Sequence, residues 1–352
     1  MKDYLYRFIQ EDQKDFFSKA LKGFLWAMSF IYLGLSQATR LLYQLNILRT
    51  KTLSCPVISI GNLTLGGTGK TPLTGFIAAR LEAKGYQPAI LTRGYMAKNG
   101  ISDEVELYRE MLPQIHVGQD RNRFAAGQKI LGEHPQTNIF LMDDGFQHWR
   151  LHRHLDIVVI DATNPFGNGF LIPRGILREP LQALRRADII VLTKVDLAKK
   201  NLSSLYATLR TNNFHAIFVE AVYEPVKLVN LKDPLKEKEL SFLKEIDFAL
   251  FSAIGNPEGF ERTVRALGAE ARKTFAFPDH HMYTKSDLEH MIHRAQEENI
   301  KTFITTQKDG VKLLGLVDLF AHDIEFFTLA ISVKIIKGEE ELEERIDAVL
   351  RH

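Results

Sequence analysis

The chain has 352 residues, enough for two domains or one large one. Hydrophobic residues make up 45% and charged residues 25%, the composition of a folded globular protein, and a net charge of +2 gives no reason to expect nucleic acid as a partner. The single cysteine, Cys55, excludes an internal disulfide and a cysteine-built zinc site, and fits a reducing cytosol.

Residues 1–22 mix acidic and basic side chains and show no clear small-residue cleavage site, so they do not read as a signal peptide. Gly23 to Thr39 follows without a charge, bounded by Lys22 and Arg40. It falls just short of the length a spanning helix needs. Its basic flanks, Trp26 and Tyr32 suit a helix lying in a membrane interface; packing on the protein's own core is the alternative. Pro56 to Ile60 then reads as a buried strand, and a glycine-rich turn leads into a helical apolar pattern over Leu73 to Lys84. Four further short apolar runs, Pro88–Thr92, Asn138–Met142, Asp156–Asp161 and Asp188–Thr193, are separated by helix-length segments. That alternation predicts an α/β fold with a mostly parallel sheet covered by helices on both faces. The lysine-rich stretch Lys194–Asn201 suggests a boundary, and Phe214–Tyr223, Asp247–Gly255 and Lys301–Thr306 restart the alternation as a smaller α/β unit. The expected division is an N-terminal apolar helical segment over 1–50, a P-loop domain over 51–205 and a C-terminal α/β domain over 206–352.

The turn between the first strand and helix is GNLTLGGTGKTP, residues 61–72. A P-loop runs from a first glycine through four residues to Gly-Lys-Ser/Thr, and here the first-glycine position holds Thr64. Gly66, Gly67 and Gly69 let backbone N–H groups turn inward, and the helix N-terminus that follows favours anions. Thr64, Leu65, Gly66, Gly67, Thr68, Gly69, Lys70 and Thr71 are therefore the expected nucleotide-binding residues. Lys70 suits the β- and γ-phosphates, and Thr71 suits Mg²⁺. The adjacent carboxylates Asp143 and Asp144, at the end of an apolar strand, are the expected partners for that metal. Thr193-Lys194-Val195-Asp196 resembles the guanine-reading Asn-Lys-x-Asp of GTPases. However, a GTPase Asp-x-x-Gly needs an acid at position 142, where the chain has Met142.

Taken together, GNLTLGGTGKTP, LTRGY (91–95), DDGFQH (143–148), FGNGFLIPRGILREP (166–180), FPDHHMYT (277–284) and TTQKDGVKL (305–313) resemble the tetraacyldisaccharide 4'-kinases of lipid A biosynthesis. The order of these blocks runs through nearly the whole chain. Position 64 is commonly threonine in that family. The resemblance implies ATP- and Mg²⁺-dependent phosphorylation of the 4'-hydroxyl of a lipid A disaccharide precursor. It also implies a P-loop protein bound by its N-terminal helix to the cytoplasmic face of the bacterial inner membrane. A monomer that binds no nucleic acid is expected. The alternative in another class is a P-loop GTPase or metallochaperone-like switch.

A sugar hydroxyl must lose its proton, so a carboxylate or histidine base is expected. The resemblance implies that a Gly-Asp-Glu-Pro motif supplies it. Here the matching stretch is Ser102-Asp103-Glu104-Val105, with the flanking glycine and proline lost and a short connection before it. Asp103 is the candidate base, although Ser102 and Asp103 also suit a helix N-cap. The resemblance further implies a partner histidine from Asp279-His280-His281, and His280 is favoured over His281. Arg93, Glu104, Arg121, Gln147, His148, Arg178 and Glu179 are candidates for acceptor or phosphate contacts, with structural ion pairing as the alternative.

Overall fold

The computed structural model describes residues 16–94, 102–198, 202–279, 281–320 and 323–351. The chain divides into two compact units, residues 1–223 with 333–352, and residues 224–332. In the first unit come α1 (Phe16–Gln44), β1 (Val57–Gly61), α2 (Lys70–Ala83), β2 (Pro88–Thr92), α3 (Asp103–Met111), β3 (His116–Gln119), α4 (Arg123–Glu133) and β4 (Ile139–Asp143). They are followed by β5 (Leu155–Asp161), a 3-10 turn Leu181–Arg186, β6 (Ile189–Thr193), α5 (Leu202–Asn212) and β7 (Ile217–Asn230). The strands lie in the order β7-β6-β5-β1-β4-β2-β3, with parallel neighbours throughout. Alternate residues of each strand face opposite sides, as the period of two requires. Ile58, Ile60, Ile157 and Val159 pack with Leu73, Ile77 and Leu81 of α2. On the other side, Val158, Ile160, Ile190 and Leu192 pack with Leu184, Leu205 and Leu209. Both faces are covered, and the strands accordingly read as unbroken apolar runs rather than alternating ones.

The second unit contains β8 (Glu237–Lys238), β9 (Phe248–Ser252), α6 (Pro257–Ala266), β10 (Lys273–Ala276), α7 (Lys285–Gln296), β11 (Thr302–Thr306), the one-turn α8 (Gln307–Gly310) and β12 (Glu325–Lys337). Its strands pair in parallel as β10-β9-β11-β12 around a core of Phe251, Phe303, Phe326 and Leu288. Strands β7 and β12 each begin in one unit and end in the other.

Two sequence expectations change here. The division expected after residue 205 falls at 223/224, because α5 and the start of β7 belong to the first unit. The C-terminal tail also returns to the first unit as α9 (Glu339–Leu350). Leu342 and Ile346, four apart and so on one face of the helix, join the core cluster that holds Ile77 and Leu81. The neighbouring face is acidic and meets α2: Arg80 pairs with Glu339 and Glu343, and Lys84 Nζ lies 3.1 Å from Asp347.

Helix α1 leaves Phe24, Trp26, Phe30, Ile31 and Leu35 exposed. No described helix is long and apolar enough to cross a membrane. Polar groups tie the other face of α1 to the loop before the 3-10 turn. Ser29 Oγ donates to the Leu171 carbonyl at 2.9 Å and accepts from Arg174 N–H at 3.2 Å. Tyr32 donates to the Arg178 carbonyl at 2.8 Å.

If α9 holds the first unit together, Leu342→Ala lowers the unfolding free energy by about 2–4 kcal/mol, read as a lower urea midpoint at unchanged m value. A loss below about 0.5 kcal/mol, the range of an ordinary surface substitution, contradicts that role.

Candidate active site

The site sits where β1, β4, β5 and β6 end. Asn62, fully buried, organises the loop after β1 from inside: its Nδ2 donates to the Thr64 carbonyl at 2.8 Å and to Thr68 Oγ1 at 3.1 Å. Thr64 makes an antiparallel bridge to Leu177 and keeps a negative φ, so glycine's freedom is not required at that position. Glycine is required at Gly69, which has φ 88° and starts α2; a Cβ there would lie 1.6 Å from the Tyr223 hydroxyl. That hydroxyl donates to the Gly69 carbonyl at 3.0 Å, and Thr193 Oγ1 donates to the Thr68 carbonyl at 3.0 Å. The Thr68 and Gly69 carbonyls are thus fastened from behind, and the N-terminus of α2 that follows favours an anion.

Lys70 and Thr71 open α2 and face the carboxylates at the end of β4. Lys70 Nζ lies 3.6 Å from Asp144 Oδ1, and Thr71 Oγ1 lies 3.4 Å from Asp143 Oδ2. The buried Tyr108 of α3 donates to Asp143 Oδ2 at 2.8 Å. Asp144, at φ 52°, takes a hydrogen bond on each oxygen from Arg178 Nη1, both at 2.8 Å. Burial opposes ionisation of Asp144, but Lys70 and Arg178 outweigh it and hold its pKa below the ordinary carboxylate range. For Asp143 burial wins over Lys70 and Tyr108, and its pKa is raised. Its second oxygen, Oδ1, is buried without a hydrogen-bond partner. A crowded, half-satisfied carboxylate beside a threonine hydroxyl at a phosphate loop fits a divalent cation.

Glu104 belongs to the same cluster. It is held by Thr92 Oγ1 at 3.2 Å, and its pKa is raised from 4.5 to about 7, first by burial and then by the charge of Asp143. Asp103, at the first position of α3, is half-buried, and its charge acts on Glu106. Glu104 is in electrostatic reach of Lys70, Asp143 and Asp144.

Arg121 is exposed, whereas Arg123, which sequence reasoning missed, is 4% exposed and feels Asp144, Arg93, Asp143 and Glu104. The signal was present. Arg123, Ala126, Gly127 and Ile130 form the buried i, i+3, i+4, i+7 stripe of α4. Arg123 Nε is buried without a partner. His148 is nearby, its pKa lowered to about 4 by burial and by Arg123, Arg153, Arg150 and Arg93, so it is neutral at pH 7. His148 Nε2 is likewise buried and unpartnered. Gln147 and Glu179 do structural work: Gln147 Nε2 donates to the Asn62 carbonyl at 2.9 Å and to Glu179 at 3.1 Å, and Arg186 donates to both Glu179 oxygens.

His280 lies outside the described residues. In the second unit, His281 Nε2 is 3.1 Å from Asp287 Oδ2, its ring stacks on Phe277, and Asp287 closes a capping box with Thr284 at the start of α7. Asp279 pairs with Lys308 at 3.6 Å.

A family described as tetraacyldisaccharide-1-P 4'-kinase matches residues 21–351. The chain belongs to this family. It is 32% identical to the tetraacyldisaccharide 4'-kinase of Halothermothrix orenii, over 99% of this chain and 97% of that one. It is 36% identical to the enzyme of the same name from Syntrophus aciditrophicus, covering 85% of this chain and 86% of that one. Among solved structures, it superposes with a TM-score of 0.75 at 29% identity on Aquifex aeolicus LpxK in complex with ATP, over 94% of this chain and 99% of that one. Membership of a kinase family decides against the GTPase or metallochaperone-like alternative.

The fold raises the pKa of Glu104, so its contribution to stability is complete below pH 4.5 and is lost as pH rises through about 7. In metal-free buffer, wild type therefore loses about 1–3 kcal/mol more than Glu104→Gln between pH 5 and 8. Parallel urea-denaturation curves for the two proteins over that range contradict the placement of Glu104.

Proposed function

We propose that this family member transfers the γ-phosphoryl group of ATP to the 4'-hydroxyl of the tetraacyldisaccharide 1-phosphate precursor of lipid A, at the cluster around Lys70. The observation that carries this reading is the meeting of Lys70 and Thr71 with Asp144 and Asp143 at the mouth of a phosphate loop. Phosphoryl transfer asks the protein mainly for positioning and charge neutralisation, and these residues supply both.

The loop N–H groups and the start of α2 hold the β- and γ-phosphates. Lys70, kept at the loop mouth by Asp144, turns its charge to the transferring group. Thr71 and Asp143 would hold Mg²⁺, which would neutralise phosphate charge. Arg123, buried beside these carboxylates, donates to phosphoryl oxygens as charge builds on them. The 4'-oxygen attacks the γ-phosphorus, the bond to the β,γ-bridging oxygen breaks, and ADP leaves. The hydroxyl proton passes to Asp103. Glu104, one residue on, fixes the start of α3 against Thr92 and sets the charge around the acceptor. Arg93 and His148 flank the acceptor side.

The acceptor is a membrane lipid, and the exposed apolar face of α1 provides the means to meet it at the cytoplasmic surface. The same helix is bonded to the Arg178 carbonyl, and the Arg178 side chain holds Asp144. One chain of contacts therefore links the membrane helix to the donor site.

Two experiments test this reading. With Mg²⁺-ATP and the acylated disaccharide 1-phosphate, Lys70→Ala lowers kcat/KM by about 10³-fold or more, and Asp103→Asn lowers kcat by about 10²–10⁴-fold with little change in the KM for ATP. A near-normal Lys70→Ala enzyme contradicts the donor site, and a near-normal Asp103→Asn enzyme moves the base to Glu104. Second, replacing Trp26 and Phe30 together by glutamate should abolish co-sedimentation with phospholipid vesicles while leaving the melting temperature unchanged. Undiminished sedimentation assigns membrane contact to another surface.

A further inference from the structure

Tyr108 belongs to none of the sequence blocks above, yet it reaches the carboxylate cluster from within the core. It lies on α3 four residues after Glu104, and so on the same face of that helix. Its exposure is 0%, and it joins the core cluster that holds Leu73 and Ile77 of α2, Ile90 of β2 and Leu141 of β4. The ring is enclosed by packed apolar side chains, so packing sets the place of its hydroxyl. That hydroxyl donates to Asp143 Oδ2 at 2.8 Å. Thr71 Oγ1 approaches the same oxygen at 3.4 Å, while Asp143 Oδ1 is buried and receives no hydrogen bond. Phenylalanine would fill the same space. A buried phenol needs a partner for its O–H, and here the partner is the carboxylate suited to a divalent cation.

We propose that Tyr108 is a positioning residue for the divalent cation of the transfer step, acting through Asp143. By occupying Oδ2 it fixes the rotation of the carboxylate, so that Oδ1 is the oxygen left for the cation. Groups that hold a metal-ligating side chain from behind are worth about 10–100-fold in metal affinity. A hydroxyl orients the carboxylate without cancelling its charge, whereas a lysine or arginine in its place would neutralise Asp143 and compete with the cation. The same bond ties α3 to the end of β4. Asp103 and Glu104 open α3, so the carboxylate suited to the metal and the helix that carries the candidate base are fixed to each other.

This inference rests on the reading of Asp143 as a metal ligand, and the test separates the two. Calorimetry on the full chain measures the affinity for a non-hydrolysable ATP analogue at saturating Mg²⁺ and again in EDTA, for wild type, Tyr108→Phe and Asp143→Asn. The ratio of the two affinities is the gain that the metal supplies. Tyr108→Phe lowers that ratio by about tenfold or more and changes the affinity in EDTA by less than about twofold, as an intact phosphate loop requires. Asp143→Asn lowers the ratio at least as far. An unchanged ratio in Tyr108→Phe, or an equal loss of affinity in EDTA, overturns the role of Tyr108 alone. A wild-type affinity that does not depend on the metal, or a ratio left intact by Asp143→Asn, overturns the metal reading of Asp143 with it.

Discussion

A lysine at the start of a helix serves a polyphosphate only if it is kept at the loop mouth, charged, before the phosphate arrives. Here that condition is met by Asp144, which lies 3.6 Å from Lys70 and is itself gripped on both oxygens by Arg178. Much of the first unit converges on this contact. The Arg178 backbone is bonded to the loop after β1 through its N–H and to Tyr32 of α1 through its carbonyl. Gln147 and Glu179, flanking the same residues, are locked to Asn62 and Arg186. Displacing the lysine would therefore disturb the loop, the carboxylate and helix α1 together.

Around these carboxylates, the arrangement is costly by itself. Glu104, Asp143 and Asp144 crowd one another, and burial raises the pKa of the first two. Arg123 is buried beside them with an unpartnered Nε. Buried polar groups left incomplete normally destabilise a fold, and they persist where a ligand completes them. A cation against Asp143 and phosphoryl oxygens against Arg123 are the two completions that these groups call for.

The sheet, the phosphate loop, the paired aspartates and the family were all legible in the sequence, because each depends on short-range pattern: apolar strands, glycines at fixed offsets, and acids at a strand end. What was not legible depends on helix phase and on distant packing. Whether Arg121 or Arg123 turns inward is decided by where α4 begins: Arg123 is its first residue and is buried, whereas Arg121 precedes the helix and is exposed. The return of α9 to α2 needs Leu342 and Ile346 to meet Ile77 and Leu81, more than 250 residues earlier in the chain. The threonine at position 64, irregular against a generic phosphate loop, becomes ordinary once its bridge to Leu177 and its negative φ are seen.

The most direct measurement is ³¹P NMR of the purified protein turning over Mg²⁺-ATP with the acylated disaccharide 1-phosphate in detergent micelles. The account predicts a second sugar phosphomonoester resonance that grows in step with ADP. ADP accompanied only by inorganic phosphate, with the lipid spectrum unchanged, would contradict transfer to the 4'-hydroxyl.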